Sequence, residues 1–239
     1  MKNLKNKTAL ITGGTKGIGY GIAAAMLEKG MNVAITSRKK KAAEKAAKKL
    51  NKIGEGKAIG IKADVVSFEA QQKAVKKTIK EFGGIDAMIA NAGVGHFAPI
   101  SELSDEDWHE TIDTNLTGVF HSVKASVNAL KKSEGYLITI ASLAGTNFFA
   151  KGAAYNASKF GLVGFTQAVM MDLRQDNVKV STIMPGSVAT HFNGHKPDDT
   201  DGWKIQPEDI GQMVVDLLTM PARTLPSKVE VRPSKPPKK

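Results

Sequence analysis

The sequence predicts an α/β fold in which a doubly wound parallel sheet forms a single domain. Three observations carry this. Short β-branched runs alternate with longer helical patterns six times along the 239 residues. The short runs are apolar at nearly every position, as strands buried on both faces must be. A glycine-rich turn joins the first of these runs to the first helical stretch, as in Rossmann-type domains.

The predicted strands are Ala9–Thr12, Asn32–Thr36, Ala58–Lys62, Asp86–Ala90, Tyr136–Ile140, Lys179–Met184 and Val229–Arg232. Between them lie helices over 17–29, 40–51, 67–82, 104–132, 153–176 and 207–219. Gly30 ends the first helix and Gly54 follows the second, where a left-handed residue closes a helix at no steric cost. Ser104-Asp105-Glu106-Asp107 starts the fourth helix as a capping box, and Pro207 suits the first turn of the last. The domain spans 1–232, with a short substrate loop over 187–205. Residues 233–239 form a basic, proline-rich tail expected to be loosely ordered.

Composition narrows the function classes. Hydrophobic residues make up 41% and charged residues 24%, which is ordinary for a soluble globular protein. The absence of cysteine excludes disulfides and thiolate metal sites. It suits a reducing cytoplasm, the expected location. No run reaches membrane-spanning length, and the start of the chain does not resemble a signal peptide. Nearly all of the +11 net charge sits in two segments. Residues 38–49 carry seven basic side chains against one acid, and residues 228–239 carry five against one. Neither segment contains an aromatic, so nucleic-acid binding is not expected; a solvated helix face over buried alanines accounts for most of 38–49.

The turn after the first strand reads Thr12-Gly13-Gly14-Thr15-Lys16-Gly17-Ile18-Gly19. Its glycines permit a tight turn and let backbone N–H groups approach a pyrophosphate at a helix N-terminus. The second strand ends Thr36-Ser37-Arg38. An NAD site wants an acid there for the ribose 2′-hydroxyl. A guanidinium instead pairs with a 2′-phosphate, and Lys16 can join it, so the expected cofactor is NADP(H). Tyr155 and Lys159 stand one helical turn apart and share a face, while Ser142 follows the fifth strand at its carboxyl end. Tyrosine titrates near 10, so acid–base work near neutrality requires a drop of about three units, roughly 4 kcal/mol. A nearby ammonium and an oxidised nicotinamide both push in that direction.

Together these motifs resemble the short-chain dehydrogenase/reductase family, from Thr8 to about Val231. The likeness also includes Asp64-Val65, Asn91-Ala92-Gly93, Asn115, and Pro185-Gly186 with Thr190. It implies a catalytic set of Asn115, Ser142, Tyr155 and Lys159. Tyr155 is the general acid, Ser142 polarises the substrate oxygen, Lys159 lowers the tyrosine pKa and holds the nicotinamide ribose, and Asn115 holds a relay water. Implied cofactor contacts are Gly13, Thr15, Lys16, Gly17, Ile18 and Gly19 in the loop, then Ser37 and Arg38. Asp64 and Val65 face adenine, and Asn91 and Gly93 the ribose. Pro185, Gly186, Val188 and Thr190, with Tyr155 and Lys159, hold the nicotinamide end.

The expected reaction is NADPH-dependent reduction of a small ketone or aldehyde, by a homodimer or homotetramer. Candidate pocket walls are His96, Phe97, Asn147, Phe148, Phe149, Phe192 and Trp203. His191 and His195 have a metal-site spacing, but Gly194 between them and the lack of a third ligand leave no metal expected. The runner-up is reduction of 3-oxoacyl groups on acyl carrier protein, for which the resemblance wants two docking arginines; Ser133 and Asp176 stand at those places. A third reading is a non-catalytic NADP(H) sensor on the same fold.

Overall fold

In a computed structural model describing residue 1 and residues 3–237, seven strands form one sheet. They are β1 (Thr8–Ile11), β2 (Asn32–Ser37), β3 (Ala58–Lys62), β4 (Ala87–Ala90), β5 (Tyr136–Ile140), β6 (Lys179–Pro185) and β7 (Lys228–Val231). The helices are α1 (Gly17–Glu28), α2 (Lys40–Leu50), α3 (Phe68–Phe82), α4 (Asp105–Ile112), α5 (Gly118–Ser133), α6 (Ala153–Leu173) and α7 (Pro207–Thr219). The strand order is β3-β2-β1-β4-β5-β6-β7, and every pairing is parallel. The order reverses between β1 and β4, where a crevice opens beyond the carboxyl ends of the strands.

Strand periodicity divides the core in two. Ile11, Ile35, Ile89 and Ile138 pack on one face with Ile22 and Met26 of α1 and Ile210 and Val214 of α7. Their neighbours Leu10, Ala34, Met88 and Leu137 face the other way, toward Val119, Val123 and Leu162. This is the two-sided burial that the apolar runs predict. Close approach of α1 and α7 rests on two glycines. A Cβ at Gly21 would sit 2.5 Å from the Pro207 carbonyl oxygen, and one at Gly211 would sit 2.7 Å from that of Gly21.

The long helix expected over 104–132 is interrupted. Asp113–Thr117 form a wide π-helical turn between α4 and α5, and Asn115 lies inside it. Such turns displace one side chain from the regular helical face. Ser104 caps α4 by accepting from Asp107 N at 3.1 Å. The Asp107 carboxylate faces His96 at 3.2 Å rather than completing a capping box. On α2 the alanines 43, 46 and 47 are buried and the lysines outward, as the solvated-face reading expects.

Candidate active site

A cleft of about 1160 Å³ runs along the carboxyl ends of the strands. The glycine loop forms its floor. Gly13 and Gly17 have φ of +67° and +56°, a region open to glycine without strain. A Cβ on Gly13 would meet Ala92 Cα at 3.0 Å. Thr12 Oγ1 accepts from the backbone N–H groups of Asn91 (3.0 Å) and Ala92 (3.1 Å), tying the loop to the end of β4. The first turn of α1 receives no side-chain cap, unlike α3 and α4, which Ser67 and Ser104 cap. Its N–H groups and the positive end of its dipole therefore face the cleft with donors to offer an anion.

The cofactor residues expected from the sequence line this cleft, with one exception. Gly19 lies beneath the loop, where a Cβ would meet Asn91 Nδ2 at 2.5 Å and Gly13 O at 2.7 Å; it serves packing. Asn91 is also partly committed, since its Nδ2 donates to the carbonyls of Thr12 (2.9 Å) and Gly13 (3.2 Å). Thr36, not among the expected cofactor contacts, borders the cleft, and its buried hydroxyl has no hydrogen-bond partner among the described residues.

Arg38 is not free. Its Nη1 donates to Glu110 Oε1 at 3.2 Å, and Glu110 Oε2 lies 2.9 Å from His96 Nε2. His96 and then Arg38 hold the Glu110 carboxyl below its usual range. Nothing local in the sequence signals Glu110, because the contact spans 72 residues.

At the other end of the cleft stand Ser142, Tyr155 and Lys159. Ser142 Oγ accepts from Ala144 N at 3.1 Å, and its hydroxyl stands near enough to Tyr155 to pull that pKa down. Asn156 pins the loop carrying Ser142: its Nδ2 donates to the Ala144 and Asn147 carbonyls, both at 2.8 Å. Lys159 is 4% exposed. Its Nζ donates to Ile140 O at 3.2 Å and lies 5.6 Å from the Tyr155 ring centroid.

Burial lowers the Lys159 pKa to about 8. Burial also pushes the Tyr155 hydroxyl above its ordinary value, against the opposing influence of Ser142. The expected drop at tyrosine is thus not what these side chains produce among themselves. Desolvation of the phenolate is the larger effect and the Ser142 hydroxyl offsets only part of it.

Asn115 does not line the cleft and is fully buried. Its Oδ1 accepts from Val94 N at 2.8 Å, and its Nδ2 donates to Val94 O (2.8 Å) and Ser158 Oγ (3.0 Å). Ser158 Oγ in turn donates to the Tyr155 carbonyl at 2.8 Å. The carboxamide therefore braces the post-β4 loop against the first turns of α6.

The aromatic walls close around Tyr155. Phe97 and Phe192 ring centroids lie 5.4 and 5.6 Å from that of Tyr155, and Phe149 lies 5.8 Å from Phe97. Of the expected walls, His96, Asn147, Phe149, Phe192 and Trp203 line the cleft; Phe97, which packs behind on the Tyr155 ring, and the 87% exposed Phe148 do not. His195 and Lys204 both turn to the buried Asp201 carboxylate, each at 2.5 Å. Among the described residues no three His, Asp or Glu side chains converge as metal ligands.

The short chain dehydrogenase family model matches residues 7–201. The chain belongs to the short-chain dehydrogenase family. Such a match agrees with the glycine loop and with Tyr155 and Lys159 on α6. Relatives span most of the chain. An uncharacterized oxidoreductase of Staphylococcus saprophyticus is 32% identical over 238 residues, 98% of this chain and all of that protein. A trans-4-hydroxycyclohexanecarboxylate dehydrogenase of Sinomonas cyclohexanicum is 35% identical over 189 residues, 77% of this chain and 73% of that protein. Among solved structures, an alcohol dehydrogenase from the archaeon Thermococcus sibiricus, complexed with 5-hydroxy-NADP, superposes with a TM-score of 0.88. It is 30% identical and covers 98% of this chain and 99% of that one. The protein is thus an oxidoreductase of the short-chain dehydrogenase family, and no helix among the described residues is long and apolar enough to cross a membrane.

Proposed function

We propose that this oxidoreductase is an NADP(H)-dependent reductase of small ketones or aldehydes, with Tyr155 as general acid. The observation carrying the reading is that Ser142, Tyr155 and Lys159 line the same cleft as the uncapped α1 N-terminus and Arg38. A dinucleotide fits that cleft. Gly13 and Gly17 bring backbone close where a side chain would intrude, Thr36 offers an unpartnered hydroxyl, and Lys16 and Arg38 flank one end. The loop, Ser37, Asp64, Val65, Asn91 and Gly93 would hold the adenosine and phosphates. Pro185, Gly186, Val188, Thr190, Tyr155 and Lys159 would hold the nicotinamide. The bound cofactor would supply hydride to the carbonyl carbon.

The protein's part is to hold and protonate the oxygen. Burial keeps Tyr155 protonated through neutral pH, the state a general acid needs in reduction. Ser142 takes the Ala144 N–H on its oxygen, so its own proton can be aimed at the substrate oxygen. Lys159 is largely charged at pH 7 with a pKa of about 8 and favours negative charge developing on the neighbouring phenol. Asn115 and Asn156 act as positioning residues, through Val94 and Ser158 and through the Ser142 loop.

Support from relatives points the same way. The Sinomonas relative is named for oxidising a ring secondary alcohol, and the archaeal alcohol dehydrogenase holds an NADP derivative. An acyl-carrier substrate is less well served. Ser133 donates to Ile85 O at 2.7 Å, and Asp176 pairs with Lys131 at 2.7 Å, so neither docking place carries a free cation. A cysteine-free chain suits the cytoplasm. The outward Phe120, Phe160 and Met171 of α5 and α6 suit pairing into a homodimer or homotetramer.

The test is Tyr155→Phe, scored by NADPH absorbance loss across a panel of ketones and aldehydes. The expected loss in kcat is at least about a hundredfold, with NADPH binding retained. Near-normal turnover would remove Tyr155 from the mechanism, and a wild-type protein that binds NADPH but reduces nothing would favour the sensor reading.

A further inference from the structure

The charges lining the cleft are segregated. Its only carboxylates among the described lining residues are Asp64 and Glu110. Asp64 follows β3, and Glu110 faces Arg38 after β2, so both belong to the half of the sheet beyond β1. The other half, after β6 and β7, contributes His191, His195, Lys204 and Arg232 and no acid.

Two of those four are already engaged, since His195 and Lys204 both contact Asp201. Arg232 differs. Its partner is Glu230, two residues earlier on the same strand edge, with the two side chains 58% and 44% exposed. An exposed pair of that kind holds its partners weakly, and Glu230 does not line the cleft.

The backbone fixes where Arg232 stands. Gly186 N donates to Val231 O at 2.8 Å, locking the ends of β6 and β7 one residue before Arg232. A Cβ at Gly186 would lie 3.1 Å from Leu143 Cδ1 and 3.3 Å from Pro233 Cδ. The segment after β7 is therefore packed beside the residue that follows Ser142, on the catalytic side. Pro233 and Pro236 line the cleft with Arg232, so the tail is part of the wall up to that point; Lys238 and Lys239 lie outside the described residues. Phe149 and Phe192 line the same cleft, and both pack against Phe97.

We propose that the substrate is a carboxylate-bearing ketone or aldehyde with a ring or compact apolar body, and that Arg232 binds its carboxylate. The body lies against Phe149 and Phe192 while the carbonyl oxygen reaches Tyr155 and Ser142. This rests on the carbonyl-reductase reading. A planar guanidinium suits the task because it takes a carboxylate on two parallel N–H groups.

The experiment compares three aromatic ketones with NADPH: benzoylformate, 4-acetylbenzoate and methyl 4-acetylbenzoate. Two carboxylate spacings are covered, and the ester removes the charge at nearly constant shape. The quantity read is kcat/KM of the better acid over that of the ester, in wild type, Arg232→Gln and Arg232→Lys. A calorimetric titration of each acid into the protein with NADP⁺, which cannot reduce it, accompanies it. The expected ratio is about tenfold or more in wild type, the scale of one charge-assisted hydrogen bond. It collapses in Arg232→Gln and partly survives in Arg232→Lys. In wild type it also falls as salt is raised, an arm that needs no variant. A ratio near one in wild type, or an acid preference untouched by Arg232→Gln, overturns the proposal and leaves the reductase reading standing. NADPH binding without consumption on any ketone or aldehyde of the wider panel overturns that reading, and the proposal with it.

Discussion

Lys159→Met is expected to stabilise the protein while disabling it. The ammonium is 4% exposed, and burial lowers its pKa from 10.5 to about 8. That drop costs the folded state about 3 kcal/mol when the group is charged, at roughly 1.4 kcal/mol per pKa unit. Methionine has nearly the same helix propensity and a flexible apolar chain to fill the space. It forfeits the 3.2 Å bond to Ile140 O, worth about 1 kcal/mol. The net expectation is a gain of about 2 kcal/mol at pH 7, or roughly 4–8 °C in Tm for a chain of this size.

The pH dependence has a definite sign. Below pH 8 the lysine is charged whether folded or unfolded, and the folded state bears the full penalty. Between about 8 and 10.5 the folded lysine is neutral while the unfolded one is still charged, so wild-type stability rises with pH. Above 10.5 the penalty is gone, and the variant keeps only its lost hydrogen bond. Urea unfolding of both proteins without cofactor, at pH 7 and at pH 10.5, measures the difference. A variant less stable than wild type at pH 7, or a difference independent of pH, would refute the assignment of Lys159 as a desolvated cation held for chemistry.

Three further expectations follow from particular contacts. Wild type should prefer NADPH to NADH by about a hundredfold, two charge-assisted contacts at roughly 1.5–3 kcal/mol each, and Arg38→Asp should reverse the preference; equal kcat/KM for both cofactors in wild type would show that Arg38 faces away. Glu110→Gln removes the competitor for Arg38, an exposed pair worth about 0–1 kcal/mol, so NADPH should bind up to about fivefold tighter in a fluorescence titration while NADH is unmoved; weaker NADPH binding would mean that Glu110 orients Arg38 instead. The Lys204 and then His195 contacts hold the Asp201 pKa down to about 2 from 3.8, so their hold on the 187–205 loop should persist above pH 3.8 and fade as pH falls toward 2. Asp201→Asn should reproduce that loosening at neutral pH as faster proteolysis within the loop, and unchanged cleavage would assign the loop's order to Val188 and Ile205, which bridge it.

The fold was legible because strand burial and helix periodicity are written locally. Apolar runs without alternation specify two-sided burial, and glycine and proline positions punctuate the elements. The glycine loop and the Tyr155–Lys159 pair were legible for the same reason, since their geometry needs only a turn or one helical repeat. The Asp113–Thr117 turn was not legible. A π turn differs from an α turn by one hydrogen-bond step, and what accompanies it here is the fit of Asn115 against Val94 and Ser158.

Charge was the property that sequence alone could count but not place. It showed that Arg38 carries a cation after the second strand and that the tail is basic. It could not show that Glu110 faces that cation from 72 residues away, that burial would raise Tyr155 and lower Lys159, or that the tail would set Arg232 on the cleft wall. Residue types and their local spacing fixed the chemistry available to this protein. Only the packed sheet, by removing water and bringing distant side chains within a few ångströms, decided which of those charges are already paired and which remain to meet a ligand.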